Sequence, residues 1–409
     1  MKNKITIIGL NFYPEDTAIG LYSTQMAEYL NENGFQINVI TGFPYYPQWE
    51  IYKDYSQKPN FFKEQYKGIS IYRYKQYVPK KPSFFKRIVH MLDFSFGALV
   101  NTFKVKKTDL IISIVPFTSS IFIAKFLSVF RKTIIWVHIQ DFEFDAALQT
   151  GVSSNKKLNK SWLYKSLFFL ERKLLNTALI SSTISNTMLE KLKEKTNKET
   201  FFFPNWIDED FISPLLAKPH SFFEQNKFNI LYSGNIGEKQ DWSLFIDFAK
   251  KIEYQKDIDI IVVGSGSRQK FLLEGIKNLK NVSLHSPIPY KDLCNLLCSA
   301  DVHILFQKNE VLDTVMPSKL LGMMASEKPS IVTGNINSEV STVLKNSNGG
   351  FYFDSNNTKL IVDKILQLKS NKVEARLIGK KARKYVVEKY SKKRVLSLFI
   401  EKLKTIIDE

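Results

Sequence analysis

The sequence predicts an α/β protein built from two Rossmann-like halves, and three observations carry that prediction. Short β-branched runs alternate with helical periodicity along the whole chain. The pattern stops at a proline-bracketed segment, "FFFPNWIDEDFISP", containing Pro204 and Pro214, and then starts again. A length of 409 residues also exceeds what one ordinary core organises, so two domains of roughly 200 residues each are the natural division.

In the first half the strands are expected at "KITIIGL" from Lys4, "INVITGF" from Ile37, "DLIISIV" from Asp109, "KTIIWVHI" from Lys132 and "ALISST" from Ala178. In the second they are "FNILYSGN" from Phe228, "IDIIVVGSG" from Ile258, "NVSLHSP" from Asn281, "ADVHILFQ" from Ala300 and "KPSIVTGN" from Lys328. Helical stretches separate them, as parallel sheets with crossover helices require. The domains are placed at residues 1–205 and 206–389. A helix over residues 390–409 carries Val395, Leu396, Phe399, Leu403 and Ile406 at three- and four-residue spacing. Ligands of open parallel sheets bind beyond the carboxyl ends of the strands, so a deep cleft between the halves is the expected site.

Composition narrows the class of protein. An apolar fraction of 44% suits a folded, soluble chain, and 58 Lys and Arg against 40 Asp and Glu give a net charge of +18. Such a balance implies an anionic partner: nucleic acid, acidic lipid headgroups or a phosphorylated substrate. No recognised nucleic-acid module appears. The most apolar stretch, "LIISIVPFTSSIFIAKFLSVF" from Leu110, is broken by Pro116, Thr118 and Lys125, so no membrane span is expected. The start reads as a first β-strand ending at Gly9, not as a secretory leader. Two cysteines, Cys294 and Cys298, lie four apart on a predicted helix and are expected to line one buried face. Together these readings give a reducing, cytoplasmic compartment.

Chemistry concentrates at strand ends. "LYSGNIGEKQDW" sets Gly234, Asn235 and Gly237 just past a strand, with Lys239 following. Glycines let the backbone approach a ligand closely, and a lysine there meets phosphate as a point charge. An ordinary glycine turn with a solvated lysine fits the same residues. "VVGSGSRQ" places Gly264 and Gly266 between a buried strand and a helix N-terminus, where a plain tight turn is the alternative. "VLDTVMPSKLLGMMA" opens a helix with Pro317, Ser318 and Lys319. The free N–H groups and dipole of a first turn favour an anion, Ser318 adds a hydroxyl and Lys319 a full charge. A capping turn would use the serine equally well, but would more often carry an acid than a lysine. Three such ends on one sheet point to a diphosphate.

In the first half, Gly20 near the start of the first helix is placed to face the same phosphates. "WVHIQDFEFDA" ends a strand with His138 and Asp141, a pair able to position a hydroxyl and share its proton, although a structural histidine fits that position too. "DID" at Asp257 enters a buried strand and "DED" at Asp208 sits in the interdomain loop. Neither has a supporting metal ligand, and His90, His220, His285 and His303 are scattered without metal spacing. There is no P-loop.

With these residues assembled, the chain resembles the glycosyltransferase family 4 group with the two-domain GT-B fold. The likeness is nearest to bacterial enzymes of colanic-acid, O-antigen and capsule assembly, including fucosyl- and N-acetylfucosaminyltransferases. It covers nearly the whole chain and rests on "GLNFYPEDTAIGLYSTQMAEYLNENGFQINVITGFPYYPQW", "VHIQDFEFDAALQTG", "LYSGNIGEKQ" and "MPSKLLGMMASEKPSIVTG". The resemblance implies a retaining transferase whose nucleotide diphosphate sugar is held by the C-terminal domain. It implies that Lys239 is the phosphate lysine, Gly20 a backbone contact and His138 the residue at the reacting sugar. Ser318 and Lys319 would embrace the diphosphate, while Gly264, Gly266 and the "HSPIPY" loop at His285 would surround the nucleoside. A C-terminal helix crossing back to the first domain is implied as well.

Two departures stand out. Asn235 occupies the place of the family's arginine partner of Lys239, leaving a phosphate charge to come from elsewhere, such as Lys319. The family's E-x7-E motif also falls on Thr314 and Gly322, leaving Asp313, with Glu310 as the other candidate, to hold the donor sugar. The mechanism implied has the acceptor hydroxyl attack from the leaving-group face while the departing phosphate takes its proton. The leaving diphosphate is neutralised by cations and helix N-termini without a metal or other cofactor.

Residues 78–107 hold seven Lys or Arg against one Asp, with an apolar stripe of Phe84, Ile88, Leu92, Phe96, Leu99 and Phe103. The stripe is expected to pack on the first sheet. The ends "KKPSFFKR" and, further on, "KKLNKSWLYKSLFF" have the aromatic and basic character of an interfacial anchor on anionic lipid. The expected partners are therefore a nucleotide-sugar donor, a lipid-diphosphate-linked saccharide acceptor and an anionic membrane surface, without nucleic acid. The location would be peripheral, at the inner face of the cell membrane. A UDP-sugar epimerase of the same architecture and a non-catalytic basic scaffold are the competing readings.

Overall fold

The computed structural model describes residues 3–81, 83–145, 162–310, 318–354 and 357–407. The chain divides into two compact units: Met1–Pro204 with Leu396–Glu409, and Asn205–Val395. The break falls inside the proline-bracketed segment, and the return falls within the last helix, Lys392–Ile407, not at its start. The first turn of that helix stays with the second unit because it is fastened there. Ile207 N donates to Tyr390 O at 2.8 Å, and Lys392 N donates to Ile207 O at 2.8 Å and to Glu209 Oε2 at 3.0 Å. Lys392 Nζ pairs with Asp208. The "DED" carboxylates Asp208 and Glu209 are thus engaged in holding a helix.

The first unit carries β1 (Lys4–Ile8), β2 (Gln36–Gly42), β3 (Phe61–Tyr66), β4 (Ile69–Tyr74), β5 (Leu110–Val115), β6 (Ile134–Ile139), β7 (Ile180–Thr183) and β8 (Glu199–Phe202). They form one sheet in the order β3-β4-β2-β1-β5-β6-β7-β8, parallel throughout except for the β3–β4 hairpin. A parallel sheet covered on both faces buries both sides of its strands, which is why "IIWVHI" is apolar without alternation. The hairpin adds an edge the sequence reading did not anticipate. Its turn is Lys67-Gly68, with φ of 46° and 82°, the positive pair that a two-residue hairpin turn demands.

The helices Phe84–Thr102, Ser119–Arg131 and Trp162–Leu175 connect β4 to β5, β5 to β6 and β6 to β7, all stepping the same way across the sheet. Right-handed crossovers therefore set them on one face. The helix Ala18–Glu32 steps from β1 to β2 in the other direction and takes the opposite face. The C-terminal helix joins it there: Tyr29 OH and Ser397 Oγ are 2.9 Å apart. Phe399 stacks on Phe203 at 4.4 Å and meets Trp136 edge-on at 4.8 Å.

One expectation is reversed. Along Phe84–Thr102 the stripe does not pack on the sheet: Ile88, Leu92, Phe96 and Phe103 are exposed and Leu99 is half-buried. The inward line is instead His90, Phe94, Gly97, Ala98 and Asn101. Gly97 decides the approach, because a Cβ there would sit 1.9 Å from the Tyr74 ring. A helical period identifies two faces, and here the side with the glycine can come closest to the sheet.

The second unit carries β9 (Phe228–Ser233), β10 (Ile258–Val263), β11 (Val282–His285), β12 (Val302–Phe306), β13 (Ser330–Gly334) and β14 (Gly350–Asp354). The order is β11-β10-β9-β12-β13-β14, all parallel. From β9 the chain runs out to β10 and β11, then returns to the other side of β9 as β12. The crevice between the ends of β9 and β12 is thus a topological switch point, where such sheets bind ligands. Cys294 is buried and donates to Ser213 O at 3.4 Å, and burial pushes the half-buried Cys298 thiol up to about 12.

Candidate active site

The loop leaving β9 is built by close backbone approach. Gly234 has a φ of 134°, a conformation only glycine adopts without strain. Gly234 N donates to Val263 O at 2.8 Å, Ile236 N to Ser265 O at 2.8 Å and Arg268 N to Ile236 O at 3.0 Å. These bonds lay the β9 loop against the loop after β10. Gly264 and Gly266 make the contact sterically feasible: a Cβ would lie 1.9 Å from Gly234 O at the first and 2.3 Å from Ile236 O at the second. On the other side Asp241 N donates to Phe306 O at 2.9 Å, and Lys308 N to Lys239 O at 3.1 Å, tying the loop to β12. Asp241 also caps Trp242–Ile252 by accepting from Leu244 N at 3.0 Å.

Lys319 reaches into this frame from the first turn of the helix Ser318–Ala325. Its Nζ lies 3.0 Å from Tyr232 OH and 3.4 Å from Asn235 O, over the Tyr232 ring at 5.0 Å. A Cβ on Gly234 would come within 2.3 Å of Lys319 Cε, so the glycine is the slot in which the lysine lies. Among the described residues no carboxylate pairs with this ammonium. Burial pushes it down to about 8. A half-buried cation held by a phenol and a carbonyl, at a switch point, is placed to meet an anion. Lys239 and Asn235 are exposed on the same loop. Asp313 and Pro317 lie outside the described residues, and Ser318 enters only as the first helical position.

In the first unit the candidates are internally satisfied. His138 is buried on β6, with Nδ1 2.9 Å from Ser182 Oγ and Nε2 2.9 Å from Gln140 Nε2. Trp136 Nε1 donates to the same Ser182 Oγ at 2.7 Å. Both ring nitrogens thus have side-chain partners, and burial pushes the imidazole down to about 3. Gly20 is buried against Glu15, whose Cβ would lie 2.7 Å from a Cβ on the glycine. Glu15 in turn accepts from Tyr45 N and Tyr46 N at 2.8 Å each and from Asn11 Nδ2 at 2.8 Å. Gly20 therefore admits the carboxylate that ties the β1 and β2 loops together.

Sequence reading passed over Tyr232, Glu15 and Glu143. Tyr232 looks like any core aromatic in a strand, and only its two-residue offset from Gly234 hints at a role. Glu143 accepts from Thr118 N at 2.9 Å and Thr118 Oγ1 at 3.1 Å at the start of Ser119–Arg131, while burial pushes its carboxyl up to about 7. His285 ends β11 with its ring stacked on Phe222 at 3.8 Å. Asp257 and Asp259 of the "DID" pair with Lys369 and Lys227.

Comparison with known proteins decides the family. Residues 217–385 match the model of the Glycosyl transferases group 1 family. The Escherichia coli (strain K12) protein named colanic acid biosynthesis glycosyl transferase WcaI is 33% identical over 361 residues, covering 82% of this chain and 84% of the relative. The chain belongs to the group 1 glycosyltransferases. Solved structures agree on the fold of this transferase. Sucrose-phosphate synthase from Thermosynechococcus elongatus superposes with a TM-score of 0.76 at 12% identity, with all of both chains covered. Anabaena HepE in complex with UDP-glucose gives 0.67 at 12% identity, over 98% of this chain and 99% of that one. The two Rossmann-like units are thus those of the GT-B class.

Proposed function

We propose that this group 1 glycosyltransferase moves a sugar from a nucleoside diphosphate donor to a lipid-linked saccharide during assembly of a surface polysaccharide, with retention of configuration. A 6-deoxyhexose such as L-fucose or N-acetyl-L-fucosamine is the sugar we favour, given the motifs shared with that branch and the similarity to a protein named for colanic acid biosynthesis. The observation that carries the reading is Lys319, a half-buried cation without a carboxylate partner among the described residues, seated on Gly234 at the β9–β12 switch point. A diphosphate there would meet Lys319, the N–H groups of the Ser318–Ala325 first turn and Lys239 above them. As the bond to the sugar breaks, negative charge grows on the leaving phosphate, and these fixed donors stabilise it. Asn235, standing where an arginine would be, leaves Lys319 as the inner charge. His138, kept neutral, would orient a neighbour through its Gln140 contact without exchanging a proton.

Thermal shift of the protein with UDP, GDP, ADP and CMP, beside Lys319→Ala and Lys239→Ala, tests this. Stabilisation by one nucleoside diphosphate that disappears in Lys319→Ala and persists in chelator is expected. Absence of any shift with folded protein would overturn it. Incubating a donor sugar without acceptor distinguishes the epimerase, which would return an altered nucleotide sugar.

A further inference from the structure

Three of the four helices on one face of the first sheet, Phe84–Thr102, Ser119–Arg131 and Trp162–Leu175, are apolar on the side turned away from it, while the fourth, Asn186–Lys195, exposes Glu190, Lys193 and Glu194 there. On Phe84–Thr102 the outward positions are Phe85, Val89, Leu92 and Phe96, with Phe85 77% exposed. Ser119–Arg131 packs beside it and presents Phe122, Val129 and Phe130. Trp162–Leu175 packs beside that helix in turn and presents Trp162, 81% exposed, with Phe169 and Leu170. Each helix repeats its outward apolar residues at three, four, seven or eight positions, so they share one side, unbroken on Phe84–Thr102 and interrupted by Lys125 and Lys165 on the other two. Exposed aromatic and aliphatic side chains clustered on three adjacent helices are the kind of patch that marks an interaction surface.

Charge says what covers it. The three helices hold seven Lys or Arg and two acids, Asp93 and Glu171. Both acids are turned to the protein: Asp93 accepts from Tyr74 OH at 3.0 Å and Tyr77 N at 2.6 Å, and Glu171 is buried with Lys195. Exposed Lys86, Lys125 and Lys165 therefore stand among the aromatics without acidic neighbours on these helices. A protein partner with an apolar patch would not call for this one-sided basic rim. Among the described residues no helix is long and apolar enough to cross a bilayer, and the stripe on each helix is the geometry of lying on one.

We propose that this face docks the protein on a membrane, with the aromatic side chains entering the interface and the lysines meeting anionic phospholipid headgroups. For its purpose the inference rests on the lipid-linked acceptor proposed above, since docking brings the first unit to the surface where such an acceptor resides. Its geometry stands on the three helices alone.

The test is flotation of the full chain with phosphatidylcholine vesicles, with and without phosphatidylglycerol, read beside the UDP thermal shift and the sedimentation of the protein alone. We expect flotation only with the anionic lipid, falling about tenfold in Phe85→Ser/Phe96→Ser/Phe130→Ser and, at low salt, in Lys86→Glu/Lys125→Glu. These substitutions are at exposed positions, so the nucleotide shift is expected to stay. A nucleotide shift without flotation overturns the docking surface and leaves the transferase reading intact. Flotation without a nucleotide shift does the reverse. A dimer that the triple serine variant splits, in a protein that ignores vesicles, would assign the face to a second copy and overturn the proposal, as would equal flotation on both kinds of vesicle.

Discussion

The strand ends of the two units look alike in sequence and differ in chemistry. Each presents glycines and one conspicuous basic or imidazole side chain after a β-branched run. In the second unit the glycines let two loops lie against each other, and among the described residues Lys319 meets a phenol and a carbonyl but no carboxylate. In the first unit Gly20 is filled by Glu15, and His138 has both nitrogens committed to Ser182 and Gln140. An uncommitted cation is a reason to expect a ligand, whereas a satisfied network is a reason to expect rigidity.

Removing the cation breaks the comparison most directly. Lys319→Met should weaken nucleoside diphosphate binding by roughly 100-fold, the scale of a charge-assisted contact of 2–3 kcal/mol, by calorimetry. The same variant should be slightly more resistant to urea, because it relieves a half-buried charge. Equal binding by both proteins would place the donor elsewhere. His138→Ala should do the opposite, costing about 2–4 kcal/mol of stability through the cavity and the broken Trp136–Ser182–Gln140 network. Its nucleotide affinity should be unchanged, and a selective loss of binding would give the first unit a direct role.

Acidity sharpens the contrast further. Lys319 is held down to about 8 in the free protein, and a bound diphosphate must raise that value. Binding is therefore complete below pH 8 and weakens above it, by about tenfold per unit until the bound-state value is reached. His138 contributes nothing in this window, since it is already neutral. The smallest effect is expected from Lys239→Ala, a loss of about threefold, because an exposed lysine meets phosphate through screening water. A loss as large as that of Lys319→Met would make Lys239 the principal charge.

These contrasts also show what a sequence can and cannot convey. The central parallel strands are legible because burial on both faces leaves unbroken apolar runs, and Gly264 and Gly266 are legible because few other residues fit a loop so close to its neighbour. The β3–β4 hairpin was readable in principle from "YKGIS", yet its partly exposed strands mix lysine and glutamate into the alternation. Nothing local reveals that Lys319 lies in the slot of Gly234, a contact between residues brought together only by the order of strands. Nor does periodicity say which side of Phe84–Thr102 meets the sheet, since that choice is made by Gly97 against Tyr74.

The last helix has a consequence for how the protein is made. Phe399 closes the core of the first unit against Phe203 and Trp136, and residues from Leu396 onward belong to that unit. On a ribosome the first unit emerges early but lacks this plug until all of Asn205–Val395 has been synthesised. The unit translated second needs nothing beyond Val395 for its packing, whereas the one translated first waits for the end of the chain. A released chain ending at Val395 would show a protease-resistant second unit beside a first unit still open to cleavage.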